Sequence, residues 1–72
     1  MQQVFIKDDF IKLGQVLKLA GFVDSGVEAK VVINEGLVKV NNETVLMRGK
    51  KIVNNDVVSY KGNSFVVISK DN

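Results

Sequence analysis

The spacing of apolar residues in the first third of the chain predicts a strand followed by an amphipathic helix. Residues 4 to 6 form a short apolar run, and Asp8 or Asp9 then stands where a helix cap belongs. From there to about Ala20, apolar side chains recur at helical intervals, at Phe10, Leu13, Val16, Leu17 and Ala20. The opposite side of this predicted helix carries Lys12, Gln15 and Lys18. Gly21 can end it in the left-handed conformation.

Three residues of this segment do not fit the apolar stripe. Ile11 and Leu19 lie outside it, so we expect them to touch a neighbouring element. Gly14 stands inside the helix, where glycine costs about 1 kcal/mol relative to alanine. A glycine at this position indicates close packing against the helix, and a functional role for the glycine is the alternative.

The stretch DSGVEAKVVINEG, residues 24 to 36, predicts a second helix with both ends defined. Ser25 and Glu28 have the spacing of a capping box, in which the hydroxyl accepts from the Glu28 amide and the carboxylate accepts from the Ser25 amide. Apolar residues cover a wide arc of this helix: Val27, Ala29, Val31, Val32 and Ile33. Lys30 and Asn34 share its polar side, and Gly36 ends it.

After Gly36 the apolar residues come in short runs separated by turn-forming residues, which predicts a meander of strands. Asn41 and Asn42 tolerate the positive φ angles of a tight hairpin turn. We expect strands at residues 37–40, 43–47, 57–60 and 65–69, with an apolar pair at Ile52 and Val53. This order predicts one α+β domain over residues 1–72, with two helices packed on a small, mostly antiparallel β-sheet.

The composition narrows the chemistry that the chain can support. It contains no cysteine and no histidine, which excludes disulfides, thiolate catalysis, nucleophilic triads and the usual zinc sites. The adjacent acids Asp8 and Asp9 are explained as a helix cap. We therefore expect no enzymatic activity, no metal and no cofactor. No apolar run approaches the roughly 18 residues of a membrane span, and the N-terminus lacks the features of a secretory signal, so we expect a cytoplasmic protein.

Positive charge is the remaining feature that could recognise a ligand. Ten lysines and arginines against eight acids give a net charge of +2, which is too small to demand a polyanionic partner, so their placement decides. Arg48, Lys50 and Lys51 share one loop with a glycine that permits close backbone approach, a composition suited to phosphate oxygens. A merely solvated loop is the alternative. The solvated-loop alternative is less favoured if the side chains of Lys18 and Lys30 lie on the same side of the domain as this loop.

Residues 12 to 60 contain, in order, a predicted helix that ends at a glycine, a helix capped by serine, a hairpin with valines in its first strand, and a basic loop. Its positions are Leu17, Ala20, Gly21, Ser25, Ala29, Val32, Ile33, Gly36, Val38, Val40, Asn41 and Asp56. This pattern resembles the RNA-binding domain named after ribosomal protein S4 of the small subunit, also called the αL motif. In length, the chain is most similar to the small stand-alone bacterial members of that family.

The resemblance implies where RNA would be held. In the family, RNA is bound by the surface that the two helices and the loop after the hairpin form. Position by position, this implicates Lys18, Ser25, Lys30, Arg48, Lys50 and Lys51. Two positions depart from the family: Gly26 stands where arginine often follows the serine, and Lys12-Leu13-Gly14 stands where Arg-Leu-Asp often opens the first helix. The five cations of the implicated set are called the basic face below.

The resemblance therefore implies a monomeric, stand-alone module that binds structured RNA, ribosomal or transfer RNA, through shape and phosphate contacts. The alternative is a protein-interaction adaptor that docks on a ribosome-associated or replication-associated protein. In that case the basic loop would meet an acidic partner.

Overall fold

Seven strands and two helices follow one another in the computed structural model, which describes residues 1–70. The helices are α1 (Leu13–Leu19) and α2 (Gly26–Asn34). The strands are β1 (Gln2–Ile6), β2 (Phe10–Lys12), β3 (Val38–Val40), β4 (Glu43–Thr44), β5 (Lys51–Val53), β6 (Val57–Tyr60) and β7 (Asn63–Ser69).

Five of the strands form one sheet in the order β1-β7-β6-β3-β4. The chain reaches it first at β1, which pairs in parallel with β7, while the other three pairs in this sheet are antiparallel. The remaining strands, β2 and β5, form a separate antiparallel ribbon. The expected α+β class, with two helices on a small, mostly antiparallel sheet, is confirmed.

The core lies between the helices and one face of the five-stranded sheet. Successive side chains of a strand point to opposite faces, so Val38 and Val40 are buried while Lys39 between them is exposed. The helices contribute the fully buried residues Leu13, Val16, Leu17, Ala29 and Ile33. Phe65 is the largest fully buried side chain, and Phe22 meets it edge to face with ring centroids 5.1 Å apart.

The first helix is shorter than predicted. Residues 10 to 12 pair with β5 as the strand β2, so α1 begins only at Leu13, and the prediction that Asp8 or Asp9 caps it was wrong. Lys12 holds the cap position and makes no capping hydrogen bond with its side chain. Phe10, predicted on the buried stripe, is 39% exposed. Tertiary pairing with β5 overrides a helical spacing that continues back into this segment.

The second helix begins where the capping box predicted. The Ser25 hydroxyl accepts a hydrogen bond from the Glu28 amide at 3.1 Å. The Glu28 carboxylate accepts from the amide of Asp24 at 2.7 Å, one residue before the predicted donor. The predicted apolar arc is only partly buried, because Val27 and Val31 are 74% and 47% exposed. The buried residues of α2 are Ala29, Val32 and Ile33.

The turns after α2 are tied together by side chains. Asn41 and Asn42 adopt the expected positive φ angles of 51° and 70°. The Asn41 side chain donates from Nδ2 to Oδ1 of Asp56 at 2.9 Å, and its Oδ1 accepts from the backbone amide of Val57 at 2.9 Å. The second carboxylate oxygen of Asp56, Oδ2, accepts from the backbone amide of Val53 at 2.8 Å. The predicted strand over residues 43–47 is paired only at β4. These bonds fix the β3–β4 turn against the start of β6.

Candidate nucleic-acid interface

The loop that carries Arg48, Lys50 and Lys51 is docked on the beginning of α1. The first amides of a helix have no partner within the helix and must find acceptors elsewhere. Here the Leu13 amide donates to the Lys50 carbonyl at 2.9 Å, and the Gly14 amide donates to the Arg48 carbonyl at 3.1 Å. The backbone of the loop is therefore held by the helix, while its three cationic side chains are exposed.

Gly14 allows this close approach. A Cβ atom at this position would lie 2.6 Å from Cγ and 3.3 Å from Cδ of Arg48. The expectation that Gly14 serves close packing is confirmed, and its neighbour is a residue of the predicted site. The missing side chain leaves the space through which the Arg48 side chain runs.

Lys51 begins β5 and lies beside a further cation. Its pairing partner in the ribbon is Lys12, and the residue at the other end of β2 is Phe10, opposite Val53. The Lys51 ammonium lies 4.7 Å from the centre of the Phe10 ring, within the range of a cation–π contact. The ribbon thus joins the basic loop to the exposed ring and to Lys12.

Lys18 lies on the same helix that holds the loop. It is exposed in the last turn of α1, about 8 Å along the helix axis from Leu13. Lys18 and Lys12 also line one groove beside the helix. Lys12, Lys18 and the loop cations are therefore all held by α1 and its neighbouring ribbon.

The two predicted site residues on α2 stand apart from these contacts. Ser25 is exposed, and its hydroxyl is used as the helix cap. Lys30 is exposed on α2, next to the buried Ala29, and none of the contacts that join the loop to α1 involves it. The structure brings Arg48, Lys50 and Lys51 together, while Lys30 adds a cation on the second helix.

The described residues were also compared with the requirements of a metal site, of a membrane span and of a buried polar site. Within residues 1–70 no cluster of three or more carboxylate, imidazole or thiolate side chains is arranged to hold a metal ion. No helix in that range is long and apolar enough to span a membrane. Every buried polar side-chain atom of these residues has a hydrogen-bond partner.

The comparison with known families identifies the type of domain. Residues 4–68 match the model of the S4 domain. The chain belongs to the S4 domain family. The match extends beyond residues 12 to 60, on which the pattern was recognised, and includes most of β1 and most of β7.

Relatives of this S4 domain are known in bacteria. The chain is 38% identical over 63 residues to the "Putative RNA-binding protein YbcJ" of Escherichia coli K12, covering 88% of this chain and 90% of that protein. It is 42% identical over 67 residues to the "Probable ribosome maturation protein RlbA" of Bacillus subtilis 168, covering 92% and 94%. The solution structure of E. coli YbcJ, described as revealing an αL motif involved in RNA binding, matches with a TM-score of 0.74 and 36% identity, over 96% of this chain and 89% of that one.

The sequence did not predict that Lys12 of this S4 domain lies beside the basic loop. Helical spacing placed Lys12 one turn into the predicted first helix, on its polar side, and gave no reason to connect it with Lys51. Neither Phe10-Ile11-Lys12 nor its partner run Lys51-Ile52-Val53 alternates in polarity, so the sequence gives no strand signal here. Three residues are too few to distinguish a strand from a helix by periodicity.

Proposed function

We propose that this S4 domain is a stand-alone module that binds structured RNA through its basic face. The observation that carries the proposal is the docked loop: two backbone hydrogen bonds to α1 hold Arg48 and Lys50 in place while their side chains stay exposed. Fixed cations favour binding because less side-chain and loop freedom is lost when phosphates are bound. The YbcJ and RlbA relatives, named for RNA binding and ribosome maturation, support the same function.

The recognition follows from the shape of an RNA helix. An A-form duplex hides its base edges in a deep groove, so a small protein reads the spacing of phosphates and the 2′-hydroxyls of the shallow groove. Arg48 can make a forked contact with a phosphate, while Lys50 and Lys51 act as point charges. Lys18 and Lys30 extend the cationic surface along the two helices. Ribosomal or transfer RNA is the proposed target class, bound by a cytoplasmic monomer without catalytic activity.

Chemical-shift mapping tests where RNA binds. Isotope-labelled protein titrated with a structured RNA hairpin should show the largest amide shifts in residues 48–51 and along the exposed sides of α1 and α2. Lys61, in the β6–β7 turn, and Lys70, after β7, provide internal controls that should shift little. Shifts concentrated at those two residues, or spread evenly over the surface, would refute the proposed interface.

Identification of the RNA requires the protein in cells. Crosslinking followed by sequencing should recover ribosomal or transfer RNA, or their precursors, with the wild-type protein. The same experiment with the Arg48/Lys50/Lys51 triple alanine variant should recover much less of them. Recovery of messenger RNA alone would contradict the proposed target class.

The second candidate function is a protein-interaction adaptor. It is favoured by exposed apolar side chains near the end of α2, where Leu37 and Leu46 are 48% and 59% exposed. Apolar side chains grouped on a surface are typical of protein contacts. Affinity capture before and after ribonuclease treatment separates the two functions. Partners that survive the treatment and depend on Leu37 and Leu46 favour the adaptor, whereas partners lost with the RNA favour the RNA-binding module.

A further inference from the structure

An open groove runs beside α1, next to the basic loop. It is bounded by the end of β1, the turn at residues 7–9, β2 and the outer side of α1, and has a volume of about 1180 Å³. Its exposed apolar surface comes from Phe5, Phe10 and Leu19, whose side chains are 54%, 39% and 58% exposed. Two of the four phenylalanines of the chain therefore line one groove and are partly exposed.

The charges of the groove are arranged unevenly. Lys12 and Lys18 line its helix side, whereas Asp8 and Asp9 lie in the turn at the other side together with Lys7. A phosphate is thus attracted towards α1 and repelled from the turn. Carboxylates in the turn can accept hydrogen bonds from the N–H groups of a base, either a ring N–H as in uracil or an exocyclic amino group. This polarity fits a nucleotide with its phosphate at α1 and its base directed across the aromatic rings.

The groove is continuous with the basic loop. The Lys51 ammonium lies 4.7 Å from the centre of the Phe10 ring, and Lys12 is the pairing partner of Lys51. An RNA strand whose phosphates meet Lys50 and Lys51 can therefore extend into the groove without leaving the protein surface. Exposed aromatic rings beside cations are the composition with which proteins bind unpaired bases, because a base stacks on the ring while its phosphate meets a cation.

We propose that this groove binds an unpaired nucleotide adjoining the RNA duplex held by the basic face, with its base stacked on Phe5 or Phe10 and its phosphate at Lys12 or Lys18. This inference rests on the proposed function and adds a preference for one kind of RNA. The preferred ligand is a duplex interrupted by a bulge or ending in a single-stranded extension. A continuous duplex would occupy the basic face alone.

Two matched RNAs test the groove directly. One is a fully paired hairpin, and the other has the same sequence with one unpaired uridine inserted in the stem. We expect the wild-type protein to bind the bulged hairpin about tenfold more tightly, as one stacked base would provide. Phe5→Leu and Phe10→Leu keep an apolar side chain but remove the stacking ring. Phe5→Leu should reduce the preference severalfold and leave the affinity for the paired hairpin unchanged. Phe10→Leu should also reduce the preference, measured as the ratio of the two affinities, because loss of its contact with Lys51 affects binding of both hairpins.

The controls separate this inference from the function on which it rests. Phe5→Leu leaves the Phe10 contact with Lys51 in place, and Leu37→Ala removes an exposed apolar side chain outside the groove and should keep the full preference. Equal wild-type affinity for the two hairpins, or a preference that survives both phenylalanine variants, would overturn the groove proposal and leave RNA binding intact. Failure to bind either hairpin would overturn both.

Photocrosslinking gives an independent readout of contact. With 5-iodouridine at the unpaired position, irradiation should attach the RNA to a peptide that contains Phe5 or Phe10. The same nucleotide placed within the paired stem should not crosslink to these rings. Attachment of the unpaired base to α2 or to the β6–β7 turn instead would show that the groove is empty in the complex.

Discussion

At the scale of single residues, Gly14 connects the fold to the proposed function. Its amide binds the carbonyl of Arg48, and its missing side chain leaves room for the Arg48 aliphatic stem. The glycine is conspicuous in the sequence, but the residue that packs against it could not be predicted because Arg48 is distant along the chain.

The first prediction concerns the coupling of these two residues. Gly14→Ala should displace the Arg48 side chain and weaken binding to an RNA hairpin by about fivefold, equivalent to about 1 kcal/mol. In an Arg48→Ala background the same change should have little effect, because Cγ and Cδ are gone and the Arg48 carbonyl oxygen, 3.7 Å away, is at an ordinary contact distance. A double-mutant cycle of RNA affinities measures this coupling.

Gly26→Ala is the matched control for that cycle, because a Cβ atom there meets nothing within 4 Å. It should leave the affinity for RNA unchanged. Urea unfolding shows whether each variant is folded. Additive effects of Gly14→Ala and Arg48→Ala in folded proteins would mean that Gly14 does not position Arg48.

The second prediction separates the structural role of Ser25 from the binding role implied by the family. Ser25→Ala removes the hydrogen bond to the Glu28 amide and should lower the free energy of unfolding by about 1 kcal/mol. The RNA affinity of the folded variant should stay the same, because the hydroxyl is already used as a cap. A more than tenfold loss of affinity at unchanged stability would show that Ser25 contacts RNA.

At the scale of elements, local signals predicted the fold where caps and turns are encoded by adjacent residues. The Ser25–Glu28 spacing located the start of α2, and Asn41-Asn42 located the hairpin turn. Strand β2 was missed because its partner β5 lies about forty residues away in sequence, and its three residues continue the helical spacing of α1. The expected N-terminal cap failed for the same reason.

The third prediction concerns the link between the β3–β4 turn and β6. Asp56 accepts from the Asn41 side chain and from the Val53 amide, and hydrogen bonds to charged acceptors contribute about 1.5–3 kcal/mol each. Because these bonds are only partly shielded from water, Asp56→Ala should lower the free energy of unfolding by about 2 kcal/mol in urea denaturation. Asp9→Ala removes an exposed carboxylate and serves as the control. Equal stability of the two variants would show that the link contributes nothing measurable.

At the scale of the whole molecule, the fold places Lys12 beside Lys51, which is distant from it in sequence. The class of fold was predictable from the segregation of helices and strands, and the loop cations from their composition. Their attachment to α1 was not predictable, because it depends on the amides of Leu13 and Gly14 finding carbonyls in a distant loop. The groove was hidden for a related reason, since Phe10 was expected in the core and is exposed.

The central claim, a dedicated basic face for RNA phosphates, is tested most directly by the salt dependence of binding to a structured RNA hairpin. If some three to five cations meet phosphates, log affinity should fall with log salt concentration at a slope of about −2 to −4. The Arg48/Lys50/Lys51 triple alanine variant should lose about two to three units of that slope. The control removes the same charge from elsewhere, with alanine at Lys39, Lys61 and Lys70, all exposed. The account predicts an unchanged slope for this control, whereas equal losses in the two triple variants would contradict it.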